Sequence, residues 1–383
     1  MAIESSLRIR LIVFAAAITL LVAAMIDSTP PTHATMEVGP VGGSFYQIGL
    51  EYQKFLATKG ITLELRPKDN SLEIIDDVKR TGSGIDIGLE AQDVSAYRAS
   101  PVFTAGHIQL QPLFIFASAD LGRRISITDL RGRKIVMPPV TSATSDAAVR
   151  MFQLYDITAD NTSFSFMPFR QATEALRAGR FDAGAFMLAP DNDIMRTLAS
   201  YTGLRLVPLG TVKAVTNQLQ FLQSVVLPRG IYDIADGIPP ADIPMVAGTV
   251  DVIIRTGLHP YVVYSLLEAM AEVHRGPTFL SNAGDYPSIS GASLTVDPVV
   301  QQYYRTGMPW TYRNLPPFLA SFVSRYLLLA LAAFVLMELF RLSGYLASCC
   351  SVFAWVRGRW WFREWRREPA RTGSDSTRVT EHT

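Results

Sequence analysis

Apolar residues between residues 36 and 312 switch repeatedly between strand spacing and helical spacing. Ile61, Leu63 and Leu65 recur at every second position, as in a half-buried strand. Helical spacing precedes them, at Phe45, Ile48, Tyr52, Phe55 and Leu56. Further elements are predicted over residues 72–78 (helix), 85–89 (strand) and 113–117 (strand). This alternation predicts an α/β architecture rather than a β-sandwich or a helical bundle.

The pattern starts again in the middle of the chain. Strands are predicted over residues 134–137, 163–167 and 181–188, and helices over 145–155 and 172–176, the second closed by Gly179. A helix over residues 261–274 comes later and is expected to return to the first part. The restart predicts two α/β lobes. Lobe 1 is assigned to residues 36–118 and 226–314, and lobe 2 to residues 119–225.

Two apolar segments flank these lobes, and the first is short for a membrane span. Residues 11–26 come after Arg8 and Arg10, and both a cleaved signal peptide and an uncleaved anchor fit them. A signal peptide and an anchor would both export the two lobes, because the arginines before the segment stay on the cytoplasmic side. We therefore assign residues 1–35 to a signal or anchor with its linker. Residues 318–342 are long enough to cross a bilayer, and the alternative is a buried core helix. We assign residues 315–345 to a transmembrane helix.

The last residues, 346–383, interleave arginine with tryptophan, which is typical of a helix lying at a membrane surface. We predict a cytoplasmic tail in contact with the lipid bilayer. No nucleic-acid partner is expected, because the tail is short and directly adjoins the span. The chain has two cysteines, Cys349 and Cys350, both in this tail, so the exported part has no disulfide.

A glycine-rich turn lies directly before the first helical pattern. Gly42 and Gly43 let the backbone approach a ligand, Ser44 comes next, and free amides at a helix start favour an anion. An ordinary connection between a strand and a helix is the alternative. A second such turn, at residues 138–144, lies after another predicted strand, although Ser142 and Thr144 there can also simply cap their helix.

Two helix starts that face one cleft would bind a small carboxylate and close around it. The predicted ligand-binding residues are Ser44, Phe45, Tyr46, Asn70, Ser71, Ser142, Ala143, Thr144 and Phe186. Phe186 is expected to form an apolar wall, whereas Tyr46 has an alternative role as a core aromatic. Glu90 and Arg170 can bind charged groups of a ligand, but they also fit a solvated strand end and a surface helix start.

The sequence does not favour an enzyme. It contains five histidines and no nucleophile elbow, phosphate-binding loop or zinc-protease helix. No catalytic residue, metal site or cofactor is therefore predicted.

Several motifs, in order, resemble the TAXI-type solute receptors of tripartite ATP-independent periplasmic (TRAP) transporters. The stretch from Gly42 to Tyr46 resembles their Gly-Gly-Thr-Tyr-Tyr start, and Asp129 to Arg133 resembles their Asp-Leu-(Lys/Arg)-Gly-(Lys/Arg) entry. Similar matches occur at Asp86 to Leu89, Ser142 to Thr144, Gly179 to Ala183 and Pro228 to Tyr232. The end of the chain, from Tyr304 to Arg325, resembles the membrane-tethered subgroup.

The resemblance implies a two-lobed fold of the type II periplasmic-binding-protein kind, in the periplasm and anchored in the bacterial inner membrane. It implies a small organic anion or amino acid as ligand, of the dicarboxylate or acidic amino acid class, and TRAP permease subunits as partners. Departures from the family pattern at Ile74, Ala91 and Ala143 predict an altered pocket. An anchored sensor that signals to a membrane partner is the alternative function.

Overall fold

The computed structural model describes residues 28–41, 43–122 and 124–327, and a few positions on either side. These are Thr19, residues 22–24, Ile26, Leu331, Ala332, Phe334, Val335 and Glu338. The chain divides into two compact units, Ser28–Ser321 and the pair Met1–Asp27 with Phe322–Thr383. In the smaller unit, residues 322–327 are helical, and the rings of Phe322 and Tyr326 lie 5.5 Å apart.

The larger unit is a mixed α/β fold, whose strands and helices alternate along most of the chain. The strands are β1 (His33–Val38), β2 (Thr62–Pro67), β3 (Ile87–Glu90), β4 (Val102–Ser118), β5 (Lys134–Met137), β6 (Ser163–Phe166), β7 (Ala183–Met187), β8 (Leu204–Leu206), β9 (Leu222–Leu227) and β10 (Ile243–Arg255). The helices are α1 (Ser44–Thr58), α2 (Ile74–Lys79), α3 (Ala143–Gln153), α4 (Phe169–Arg177), α5 (Asp193–Ser200), α6 (Val212–Gln218), α7 (Pro260–His274), α8 (Pro298–Thr306) and α9 (Trp310–Asn314).

The strands form a sheet with the order β2-β1-β3-β10-β4-β7-β5-β6, to which β8 and β9 add at β4 and β10. The first half contains β1, β2 and β3, where β1 runs parallel to both neighbours. The second half contains β5, β6, β7 and β8, where β5 runs parallel to β6 and β7. Each half therefore has a parallel centre of the kind that strand-helix-strand units build.

Two long antiparallel strands, β4 and β10, run through both halves. The β4 strand pairs with β10 from Val102 to Pro112 and then with β7 from Leu113 to Ala117. The β10 strand pairs with β9 from Ile243 to Gly248 before it reaches β3. The two halves are consequently joined through continuous strands rather than through a loose linker.

One continuous hydrophobic core includes residues of both halves, from Met36 of β1 to Ile135 of β5, and the second half also has a cluster of its own. In the first half, Tyr52 and Leu56 of α1 are fully buried against the sheet and α7. In the second half, the buried phenylalanines Phe114, Phe116 and Phe186 form the centre of a separate cluster. That cluster also takes in Leu227, Ile243 and Met245, so the start of β10 packs in the second half.

The structure confirms the predicted α/β class and most of the predicted elements. The predicted strand over residues 113–117 is the end of the much longer β4. Strands β1, β8, β9 and β10 were missed. The lobe boundaries at 118/119 and 225/226 stay a prediction.

The predicted membrane segments lie partly outside the described residues. This applies to most of residues 1–35, to residues 328–330, 333, 336–337 and 339–345 of the predicted transmembrane helix, and to the whole tail at 346–383. In the part of the chain that the structure describes, no helix is both long and apolar enough to cross a membrane.

Candidate functional site

A cavity of about 660 Å³ lies beside the carboxyl ends of four strands, one from the parallel part of the first half and three from the parallel part of the second half. Gly39 comes after β1, Pro138 after β5, Pro168 after β6 and Leu188 after β7, and all four residues line it. Ligands of α/β sheets bind at the carboxyl ends of parallel strands, because the loops there diverge. The cavity therefore lies at the carboxyl ends of strands in both halves of the sheet.

Four helices begin at the cavity wall. Lining residues come from the first turns of α1 (Ser44, Phe45), α3 (Ala143, Thr144), α4 (Phe169, Arg170) and α5 (Ile194). The amide groups at a helix start carry partial positive charge, so these four ends together create a field that favours an anionic group. Two of them were predicted from the sequence. The other two were missed, because no glycine turn precedes α4 or α5.

The first turn depends on a close backbone approach at Gly43. Its amide donates to the carbonyl of Pro40 over 3.0 Å, and a Cβ atom at Gly43 would lie 3.1 Å from the same oxygen. Ser44 then begins α1, and its Oγ is shielded from solvent without a hydrogen-bond partner among the described residues. A buried, unpartnered hydroxyl beside a cavity is available to a ligand. Gly42 lies outside the described residues.

In the second turn, one serine both caps the helix that follows and lines the cavity. Ser142 is the N-cap of α3, since its Oγ accepts from the amide of Ser145 over 3.2 Å. The side chain of Ser145 in turn donates to the carbonyl of Pro138 over 2.8 Å. The capping alternative is therefore confirmed for Ser142, although the residue also lines the cavity.

Ser71 connects the two halves. Its Oγ accepts from the amide of Ala143 over 3.0 Å, and the amide of Leu72 donates to the carbonyl of Thr141 over 3.4 Å. These two bonds define the latch, which joins the loop after β2 to the start of α3. The amide of Ala143, which the sequence predicted as a donor to a ligand, thus already donates to a side chain of the protein.

Three of the nine predicted site residues do not line the cavity. Phe186 is fully buried, with its ring 5.6 Å from that of Phe169 and 6.5 Å from that of Phe116. Its place in the wall is taken by Phe169, which does line the cavity. Tyr46 packs against the core of the first half, as its alternative role supposed. Asn70 lies between the lining residues Asp69 and Ser71 but is not itself one of them.

Gln111 is the most informative residue that the sequence did not reveal. It is 3% exposed and lies on β4, yet it lines the cavity. Its Nε2 is buried and has no hydrogen-bond partner among the described residues. A glutamine in a strand carries no sequence signal of its own, so only the fold identifies it.

The cavity is mostly apolar and has little charge. Among the described residues that line it, Asp69 and Arg170 carry a charge, and both are exposed. Arg170 thus belongs to the wall, and in the described part of the chain no carboxylate forms an ion pair with it. The apolar surface comes from Val41, Phe45, Phe169, Met187, Leu188 and Ile194, with four prolines.

A buried acidic network lies in the first half of the sheet. Glu90 is fully buried and accepts from the amides of Ala91 and Gln92, at 2.9 and 3.1 Å, and from the Gln92 side chain. Burial raises the pKa of Glu90 to about 8 despite these bonds, so the carboxyl group is largely protonated at neutral pH. Glu90 pairs with Asp251 across the strands. It is therefore not the solvated strand end that its alternative role supposed.

His107 continues this network, with Nδ1 2.5 Å from Oδ1 of Asp251. Burial lowers the pKa of His107, but the hydrogen bond and the charge of Asp251 outweigh this effect and the pKa is raised. Neither residue lines the cavity. Within the described ranges, no group of three or more histidine, cysteine or acidic side chains is arranged to hold a metal ion.

Several solved structures are similar to this chain. The substrate-binding protein of an amino acid ABC transporter is 14% identical, with a TM-score of 0.40, over 63% of this chain and 92% of that one. The alkanesulfonate-binding protein SsuA from Xanthomonas axonopodis pv. citri is 13% identical, with a TM-score of 0.36, over 64% of this chain and 80% of that one. The amino acid ABC transporter substrate-binding protein AbpA from Streptococcus pneumoniae is 13% identical, with a TM-score of 0.37, over 76% and 96%.

No curated protein matches the sequence. A model of the NMT1-like family matches residues 36–285, which is more than half of the 383 residues and includes every residue that lines the cavity. The TAXI and TRAP subgroup is not distinguished by these comparisons. The chain belongs to the NMT1-like family.

Proposed function

We propose that this protein is a solute-binding receptor that traps a small carboxylate-containing molecule between the two halves of its sheet. The observation that carries the proposal is the convergence of four helix starts and two unpartnered polar side chains, Ser44 and Gln111, on one apolar cavity. Pockets of this composition hold an organic body by contact and orient it with a few polar groups.

Closure of the two halves around the ligand is the second part of the proposal. The latch joins them on one side of the cavity, and Arg150 of α3 forms an ion pair with Asp93, after β3, over 3.0 Å. Burial raises the pKa of Asp93, but hydrogen bonds from Ser95 and Arg150 outweigh it, and the pKa is lowered. Contacts of this kind form only when the halves approach, with β4 and β10 as the hinge.

The delivery of the ligand completes the proposal. The receptor acts on the outer side of the bacterial inner membrane, held by residues 315–345 with residues 346–383 in the cytoplasm. It presents its ligand to the permease subunits of a TRAP-type transporter. The sequence resemblance to TAXI receptors and the apolar segment at residues 318–342 support this part.

Replacing Ser44 and Ser142 together with alanine is expected to weaken carboxylate binding by about tenfold to a hundredfold. Each hydroxyl that bonds a charged group contributes roughly 1.5–3 kcal/mol, and Ser142 is partly committed to its cap. Isothermal titration calorimetry of the full chain in detergent, against a panel of carboxylates, measures the change.

The control is Ser126→Ala, which removes the hydroxyl of a capping-box serine that does not line the cavity. It costs about 1 kcal/mol of stability at most and leaves binding intact. An unchanged affinity in the double variant would contradict the site, and a panel without any bound carboxylate would contradict the function.

A further inference from the structure

We infer that the cavity selects a ligand with a single carboxylate and an apolar body, and that the side-chain amide of Gln111, at the hinge, donates a hydrogen bond to the carboxylate. This inference rests on the proposed function, because it specifies which carboxylates the same site accepts. It differs from the dicarboxylate or acidic amino acid class that the sequence resemblance implied.

The first step is the charge of the cavity wall. In the part of the chain that the structure describes, Arg170 is its one cationic side chain and Asp69 is its one anionic side chain. A dicarboxylate would bring a second negative charge into a cavity whose side chains sum to zero formal charge. Without a second cation, that charge loses its hydration and gains no ion pair, which is strongly unfavourable.

The second step is the unpartnered amide of Gln111. Its Nε2 is closed off from solvent and has no acceptor among the described residues, although the side chain borders the cavity. A buried donor without an acceptor destabilises the folded protein, so its presence indicates that something else supplies the acceptor. A carboxylate oxygen is an acceptor of the right kind, and the helix starts favour its charge.

The third step is the apolar wall of the second half. Phe169, Leu188 and Ile194 border the cavity and belong to, or pack against, the buried cluster around Phe186. They are therefore supported from behind and do not need to rearrange to hold a ligand. A branched or aromatic body that covers them is stabilised in proportion to the apolar area it removes from water.

The position of Gln111 couples recognition to closure. It pairs with Gly248 just before β4 leaves β10 and joins β7, so it lies where the two halves meet. A Cβ atom at Gly248 would lie 3.2 Å from Sδ of Met187, another lining residue. A ligand bound to Gln111 therefore touches the hinge as well as both halves.

The ligand class is tested by calorimetry on the full chain with four probes. These are isocaproate, its neutral amide, glutarate and glutamate. Glutarate has the same main-chain length as isocaproate, but a second carboxylate replaces the branched end. We expect isocaproate to bind at least about tenfold tighter than each of the other three.

Tighter binding of glutarate or glutamate overturns the inference but leaves the proposed function in place. No binding of any probe, nor of the wider carboxylate panel, overturns both.

The role of Gln111 is tested by Gln111→Met, which keeps the length of the side chain and removes its polar atoms. We expect isocaproate to bind at least about tenfold more weakly and the ligand-free protein to melt at a higher temperature. A residue with a purely structural role would not show this opposite pair of effects.

The matched control is Gln109→Met, two residues earlier on the same strand and not in the cavity wall. It is expected to leave isocaproate affinity as it is. Unchanged affinity in Gln111→Met, or an equal loss in both variants, would overturn the assignment of Gln111.

Discussion

Replacing Phe186 with alanine is expected to lower the free energy of unfolding by about 3–5 kcal/mol and to leave the affinity for ligand close to that of the unmodified protein. The side chain is fully buried, and its ring packs between those of Phe116 and Phe169. Its loss opens a cavity in the core of the second half, which that core fills only in part. Urea denaturation and calorimetry on the same samples give the two quantities.

Phe169→Ala is the informative comparison for this prediction. Phe169 is only half-buried and faces the cavity that Phe186 supports from behind. We expect this variant to lose less stability but clearly more ligand affinity. If Phe186→Ala lost binding while remaining as stable as the unmodified protein, Phe186 would belong to the cavity wall, as the sequence first suggested.

Glu90→Gln is expected to stabilise the protein by an amount that grows from about 1 kcal/mol at about pH 5 to the order of 4 kcal/mol at about pH 8. Burial raises the pKa of Glu90 to about 8 in the folded state, from 4.5 for an exposed glutamate. Between these values the folded protein holds a proton that the unfolded chain has released. Stability therefore falls as pH rises, by at most about 1.4 kcal/mol per pH unit.

The glutamine side chain of the variant does not titrate, so the fall in stability with rising pH that Glu90 causes is absent. The free energy of unfolding, measured by urea denaturation at several pH values, gives the slope directly. Glu64→Gln, at an exposed position of β2, is the control and is expected to change stability little at any pH. A Glu90→Gln difference that stays constant between pH 5 and 8 would show that Glu90 is ionised in the folded protein.

The elements that the sequence predicted well are those with a clear boundary. The strand at residues 134–137 coincides with β5, and Gly179, with φ of 70°, closes α4 as expected. The β10 strand is buried on both sides, which leaves no alternation to detect, and it was missed, whereas the equally buried β3 and β7 were predicted as short apolar runs. Most of β4 was missed because Gly106 and Pro112 interrupt its pattern, and both residues are weak strand formers.

The site was predicted in outline for a similar reason. The turns before α1 and α3 are marked by glycine, proline and serine, and six of the nine predicted residues line the cavity. Gln111, Phe169 and Leu188 carry no such mark, since their role depends on which strands meet. Phe186 lies near a strand end, as expected, but its side chain is fully buried and does not line the cavity. Sequence patterns thus locate loops, whereas the pairing of strands decides which side chains share a cavity.

The continuity of β4 and β10 has a consequence for how such a receptor can diversify. Most of the cavity wall belongs to loops and helix starts, where substitutions, and even insertions, alter the ligand without disturbing the sheet. A one-residue insertion in β4 would instead turn the subsequent side chains of both halves to the opposite face. Among the described residues, Gln111 is the lining residue that this shared strand carries, so a substitution there changes the cavity without changing the strand register, whereas its position is fixed by the pairing of β4.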